Sequence, residues 1–142
     1  MRQHPRDFHT GALMTSDAMI EQGIDDHHVF PQAYLETQAP EVGARLRDCV
    51  LNRTLIDRAT NQRINKRAPS LYVADIEQQV GGGLPALLKS HLLPAGPASP
   101  LLRDDFEGFL QWRQDAIWQR IQDATGVAGA SDLIEDAEEL SA

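Results

Sequence analysis

Asp25-Asp26-His27-His28-Val29-Phe30-Pro31, then Cys49-Val50-Leu51-Asn52-Arg53-Thr54-Leu55-Ile56, then Asp57-Arg58-Ala59-Thr60-Asn61, carry the pattern from which the architecture of the chain follows. Ile24 to Phe30 reads as a strand. Pro31 stops it, having no N–H for a ladder, and suits the first turn of a helix over Gln32 to Glu36. Thr37 to Gly43, with Pro40 and Gly43, reads as a loop. Cys49 to Ile56 is a second short strand, rich in Val, Leu, Ile and Thr. Asp57 is placed to cap a helix from Arg58 to about Lys66, with Ala59 and Ile64 on its inner side. The expected order is strand, loop, strand, helix, with the histidines on the first strand and Asn61 on the helix.

Outward from this stretch the chain reads as helical. Thr15-Ser16-Asp17 offers N-cap residues for a short helix to about Gln22. Pro69-Ser70 starts a helix over Leu71 to Gln79. Gly81-Gly82-Gly83 ends it, because no strand leads into the glycines and no Gly-Lys-Ser/Thr follows to make a phosphate loop. Leu84 to His91 is a further short helix, with His91 near its C-terminus, where a positive imidazole is favoured. From Leu101 to Thr125, Leu102, Phe106, Phe109, Leu110, Ile117 and Ile121 recur at helical spacing. Trp112 and Trp118 read as core residues on that helix, and Gly126 suits its C-terminal cap.

Composition bounds the reading. The 142 residues are about one domain's length. No apolar run approaches the ~18 residues of a membrane span, and the start, MRQHPRDFHT, lacks the apolar middle of a signal peptide. The single Cys49 cannot form an internal disulfide and reads as a buried inert thiol, so a cytoplasmic location is expected. The net charge of −8 is unevenly spread. Residues 101–142 hold three basic against ten acidic side chains, whereas residues 44–67 hold seven basic against two acidic, a local net of +5. Phosphates respond to a local patch more than to net charge, because exposed charges are screened over about 8 Å. Arg53, Arg63, Lys66 and Arg67 are therefore candidate phosphate contacts.

Imidazoles can bind a divalent ion or take a proton near neutral pH, and asparagine supplies a neutral oxygen ligand. Hydrolysis of a phosphodiester needs a deprotonated water, charge neutralised at phosphorus and a stabilised leaving oxygen. One histidine can serve as the base and one divalent ion can serve the other two needs. Neighbouring histidines on a regular strand point to opposite faces, so a local bend at Pro31 is the expected means of bringing both to one site.

Asp-His-His-Val-Phe-Pro, Val-Leu-Asn-Arg-Thr-Leu-Ile and Ala-Thr-Asn-Gln-Arg-Ile-Asn resemble the HNH endonuclease motif. More widely, HHVFPQAYLE, VLNRTLID, RAPSLYVADIE and DDFEGFLQWR resemble the C-terminal nuclease region of GmrSD-type modification-dependent restriction enzymes. The resemblance runs from about residue 8 to residue 125. It implies an α+β, mostly helical single domain with a ββα-metal (HNH, or His-Me finger) core at about 24–67. A helical remainder spans 69–126, and 127–142 is an acidic, flexible tail. It implies His28 as the base that activates water, Asn52 as the residue holding the loop between the strands, and His27 and Asn61 as metal ligands. Asp26 is a further ligand or orients a histidine, and Asn65 could substitute for Asn61, since a helix places residues four apart on one face.

The expected function is therefore Mg²⁺- or Mn²⁺-dependent hydrolysis of DNA phosphodiester bonds, as the nuclease part of a GmrSD-like restriction or phage-defence system. Relatives of that type carry a ParB-like nucleotide-binding half in the same chain or a partner subunit. Nothing here resembles that half, so the chain is expected to be a nuclease subunit, an excised domain or the remnant of a split gene. The rival expectation is a catalytically silent DNA-binding or partner-docking module, with the helix over 101–125 as docking surface.

Overall fold

Ile24–His28 forms β1 and Arg53–Asp57 forms β2, paired antiparallel with Ile24 opposite Asp57, His27 opposite Thr54 and His28 opposite Arg53. This computed structural model describes residues 6–8, 13, 15, 17 and 23–126. Apart from Thr15 and Asp17, the stretch expected to form a helix to about Gln22 lies outside the described residues, as do His4, His9 and the acidic tail 127–142. Six helices accompany the two-stranded sheet among the described residues: α1 (Gln32–Gln38), α2 (Ala44–Arg47), α3 (Arg58–Ile64), α4 (Pro69–Val80), α5 (Leu84–Ser90) and α6 (Phe106–Thr125). The described region is thus a small, mostly helical α+β structure.

The local chemistry explains most boundaries. The strand expected to reach Phe30 ends at His28, Val29 and Phe30 bend, and Pro31 stands at the N-cap of α1, while Asp57 closes β2 and caps α3 by accepting from the Thr60 N–H at 2.9 Å. Asp105 caps α6 in the same way through Gly108 N–H, and Gly126 ends it at φ 67°. Gly81 takes φ 55° at the end of α4, and Gly81–Gly83 then forms one 3₁₀ turn into α5.

Several sequence expectations are corrected. The second strand starts at Arg53, because Val50–Asn52 is a 3₁₀ turn, and Cys49 is half-buried ahead of it rather than within an apolar strand. On α3 it is Thr60 that is buried with Ile64, and Ala59 is exposed. The last helix begins at Phe106, since Leu101 to Asp104 are turns and Leu102 is exposed. Trp112 and Trp118 are 39% and 46% exposed, so neither is core. The apolar spacing on α6 is real, yet only its first two turns meet the body of the domain, through Phe106, Phe109, Leu110 and Arg113.

The core holds the sheet and the turn after β1 against α4 and α6. Phe30 and Phe109 are buried to 0% exposure with ring centroids 5.2 Å apart, and Phe106 packs edge-on to Phe30 at the same distance. Aromatic contacts of this kind add about 0.5–1.5 kcal/mol beyond area burial. Tyr72, on α4, donates its hydroxyl to the Val29 carbonyl at 2.5 Å. The segment following the histidines is therefore anchored from two helices, which fixes the end of β1 in space.

His91 is structural, though not by the expected charge effect. It is 4% exposed; Nε2 donates to the Arg6 carbonyl and Nδ1 accepts from the Thr54 hydroxyl at 2.8 Å. Burial pushes its pKa down to about 4, so the ring is neutral at neutral pH.

Candidate functional site

Alternation along β1 separates the two histidines. Asp25 and His27 share one face, and Asp26 and His28 share the other. His27 is buried, and its Nδ1 lies 2.8 Å from Asn61 Oδ1 on α3. Asn61 Nδ2 also donates to Asp25 at 3.3 Å, and that carboxylate fixes which way the amide points. His28 turns to the opposite side, where Nε2 meets Asp48 Oδ1 at 2.8 Å and Gln32 Nε2 at 3.0 Å.

Both histidines nevertheless line one open pocket of about 210 Å³, with Asp26, Pro31, Gln32, Ala33, Asn61, Asn65 and Lys66. The strand runs straight through His28, and Val29 and Phe30 then bend ahead of Pro31. Among the described residues no strand pairs with the other edge of β1, so a pocket beside that edge can be reached from both faces. Pro31 and α1 close one end of it, and α3 closes the other.

Asn52 sets the turn that makes this possible. It is completely buried, its Oδ1 accepts from Phe30 N–H at 2.8 Å, and its Nδ2 donates to the carbonyls of Phe30 at 2.9 Å and Arg47 at 2.8 Å. Its own carbonyl accepts from Val29 N–H at 2.8 Å. One side chain thus ties the segment after β1 to the segment before β2.

Desolvation by burial, opposed by the Asn61 hydrogen bond, lowers the His27 pKa to about 4, so the imidazole is neutral near pH 7, as a metal ligand must be. Two adjacent ligands on an octahedral ion with bonds of about 2.0–2.1 Å stand roughly 2.9 Å apart. The 2.8 Å between His27 Nδ1 and Asn61 Oδ1 matches that spacing. With Asn61 Oδ1 accepting, the ring hydrogen lies on Nδ1, and Nε2 is buried without a hydrogen-bond partner among the described residues. An ion held by Nδ1 and Oδ1 would replace that hydrogen bond, with the ring hydrogen moved to Nε2; the two donor types, a neutral imidazole and an amide oxygen, suit such an ion. Among the described residues no three His, Cys, Asp or Glu side chains converge as a ligand group.

The basic tract is less available than its sequence suggests. Arg53 pairs with both Asp26 and Asp48, Arg67 with Asp75 at 2.5 Å, Arg58 with Asp25 at 3.5 Å and Arg47 with Glu36 at 3.6 Å. Four carboxylates from outside residues 44–67 thus reduce its local charge from +5 to +1. Arg63 and Arg67 border a separate small cleft beside Phe8 and Tyr72. Of the four phosphate candidates, Lys66 alone lines the histidine pocket. Asp26 also lines it, but its carboxylate is engaged by Arg53.

Two contributors were missed by the sequence reading. Asp48 and Gln32 meet each other at 2.9 Å and both meet His28, although Asp48 follows Arg47 directly in a stretch marked by its basic charge. Hydrogen bonds from His28 and Arg53 hold the Asp48 carboxyl below its usual range. No periodicity or spacing marked it. The position is produced by the turn that Asn52 holds.

The fold and pocket define a small α+β unit with a polar, histidine-bearing cleft at a sheet edge. Compared with known proteins, the chain is similar to an uncharacterized protein of Methanocaldococcus jannaschii, MJ0686, at 27% identity over 141 residues. That alignment covers 84% of this chain and 23% of the relative, so the chain spans about a quarter of the protein it matches. No protein-family model and no solved structure matches the chain. Among the described residues no helix is long and apolar enough to cross a membrane.

Proposed function

We propose that this chain is an HNH-type, ββα-metal endonuclease domain that hydrolyses DNA phosphodiester bonds with a divalent ion, Mg²⁺ or Mn²⁺. The observation that carries the reading is the convergence of His27, His28 and Asn61 on one pocket, with His27 Nδ1 and Asn61 Oδ1 at 2.8 Å. The order β1, a connection carrying α1 and α2, β2, α3 and the stitching of the two ends of that connection by Asn52 support the same reading.

His27 and Asn61 would hold the ion, leaving positions open for water and a phosphate oxygen. A bound ion supplies Lewis-acid stabilisation of the charge developing at phosphorus and on the leaving oxygen. His28 takes the proton of the attacking water, and Lys66 receives a backbone phosphate at the pocket wall. Asn52 acts at a distance by keeping His28 and α1 in register with β2. The biological setting proposed is a cytoplasmic GmrSD-like restriction system with a ParB-like nucleotide-binding partner.

The test is nicking of supercoiled plasmid by purified protein on addition of Mg²⁺ or Mn²⁺. Loss of at least a hundredfold in rate is expected for His28→Ala, within the ~10²–10⁴ that a positioned base contributes. Unchanged cleavage by that variant would sink the assignment. A second reading, a DNA-binding or docking module without catalysis, is favoured by the internal pairing of the arginines and by the exposed Trp112, Trp118 and Ile121 on α6. Calorimetric titration separates the two, because the nuclease reading requires Mg²⁺ or Mn²⁺ binding that His27→Ala abolishes.

A further inference from the structure

We infer that Asp48 is a positioning residue for His28, holding its ring in the Nε2–H tautomer so that Nδ1 is the nitrogen that accepts the proton. Its catalytic consequence rests on the nuclease reading above, whereas the tautomer and orientation do not. Asp48 Oδ1 sits 2.8 Å from His28 Nε2, 2.9 Å from Gln32 Nε2 and 2.5 Å from an Arg53 guanidinium nitrogen. A carboxylate oxygen facing three nitrogens accepts from all of them, so the hydrogen on His28 lies on Nε2. Nδ1 makes no hydrogen bond among the described residues and keeps its lone pair.

Arg53 holds the carboxylate in turn. Its Nε donates to the Asp48 carbonyl at 3.2 Å while its other nitrogens bridge the Asp48 and Asp26 side chains. Gln32, the first residue of α1, donates to the same oxygen at 2.9 Å; with the hydrogen of His28 on Nε2, its 3.0 Å approach to that nitrogen is a contact between two donors that share one acceptor, not a hydrogen bond. This arrangement gives Arg53 a different task from a phosphate contact: it clamps the acid that orients the base. It also assigns a use to the long connection between the strands, which brings Asp48 back beside β1. The relation is that of a base to the group orienting it, where the orienting side chain touches no substrate.

Nitrogen-15 imidazole spectra of the metal-free protein at mildly alkaline pH read the tautomer directly, with His28 assigned by difference against His28→Ala. The wild type is expected to show His28 as a single Nε2–H form, and Asp48→Ala a mixture of tautomers. Asp48→Asn keeps an amide oxygen able to accept and is expected to fall between them. In plasmid cleavage, Asp48→Ala is expected to lower kcat about tenfold to a hundredfold, part of the ~10²–10⁴ supplied by a positioned base. KM should stay within about twofold, because no ground-state contact to substrate is lost. Asp48 is about half exposed, and an unchanged thermal midpoint would show that the variants fold.

A wild-type Nδ1–H tautomer, spectra unaltered by Asp48→Ala, or an unchanged kcat would each overturn the inference. If the wild-type protein cleaves nothing, the nuclease reading falls while the spectra still decide whether Asp48 orients His28.

Discussion

Asn52→Ala is the substitution whose effect the structure specifies most fully. The side chain is buried to 0% exposure and makes three hydrogen bonds to main-chain groups, at 2.8, 2.9 and 2.8 Å. Alanine leaves the Phe30 N–H, the Phe30 carbonyl and the Arg47 carbonyl without those partners. A net loss of about 1 kcal/mol per bond, and up to about 3 for a buried group left unsatisfied, gives roughly 3–5 kcal/mol. That is a large part of the ~5–15 kcal/mol that holds a domain of this size folded. Asn52→Asp is the sharper comparison, because the two side chains have nearly the same shape. One carboxylate oxygen keeps the bond from Phe30 N–H, while the other replaces a donor and faces two carbonyl oxygens. Aspartate should therefore be at least as destabilising as alanine at neutral pH, despite filling the cavity. Urea unfolding followed by circular dichroism measures both. A loss below about 1 kcal/mol for alanine, or an aspartate variant as stable as wild type, would refute the claim that Asn52 stitches the two segments.

Two further outcomes are expected. His91 binds a proton more weakly folded than unfolded, with its pKa falling from 6.5 to about 4. Its contribution to stability is therefore complete above the unfolded pKa and is lost as pH falls from about 6.5 towards 4. At 1.36 kcal/mol per unit this amounts to about 3 kcal/mol, and the pH slope should flatten in His91→Gln; an equal slope would contradict the buried placement. Trp118→Gln should change unfolding free energy by less than about 0.5 kcal/mol, as on an open surface. Phe109→Ala, by contrast, should lose about 3–5 kcal/mol in the same urea titration, and comparable losses would return Trp118 to the core.

Much of the local structure was legible because its causes are local. Pro31 opens α1, Asp57 caps α3, and Gly126 closes α6, each through chemistry within a few residues, whereas β1 stops at His28 rather than at Phe30. The start of β2 was not legible: Val, Leu and Cys suit a strand, yet Asn52 draws Val50–Asn52 into a 3₁₀ turn by bonding to residues on another segment. The tryptophans misled for a related reason. Helical periodicity reports which side of α6 is apolar but not how far along the helix a neighbour reaches.

The groups of the site are legible in residue type and spacing: adjacent histidines on a strand, asparagines downstream and a basic tract. Which of them meet follows from the folding of the chain alone. Folding joined His27 to Asn61, assigned Asp48 and Gln32 to His28, and tied Arg53 to two carboxylates. Those pairings span 34, 20, 4, 27 and 5 residues. The longer ones follow from chain reversal at the Asn52 turn rather than from any repeat in the sequence. Charge shows the difference most clearly, since +5 along the chain becomes +1 once folding brings four distant carboxylates to the arginines.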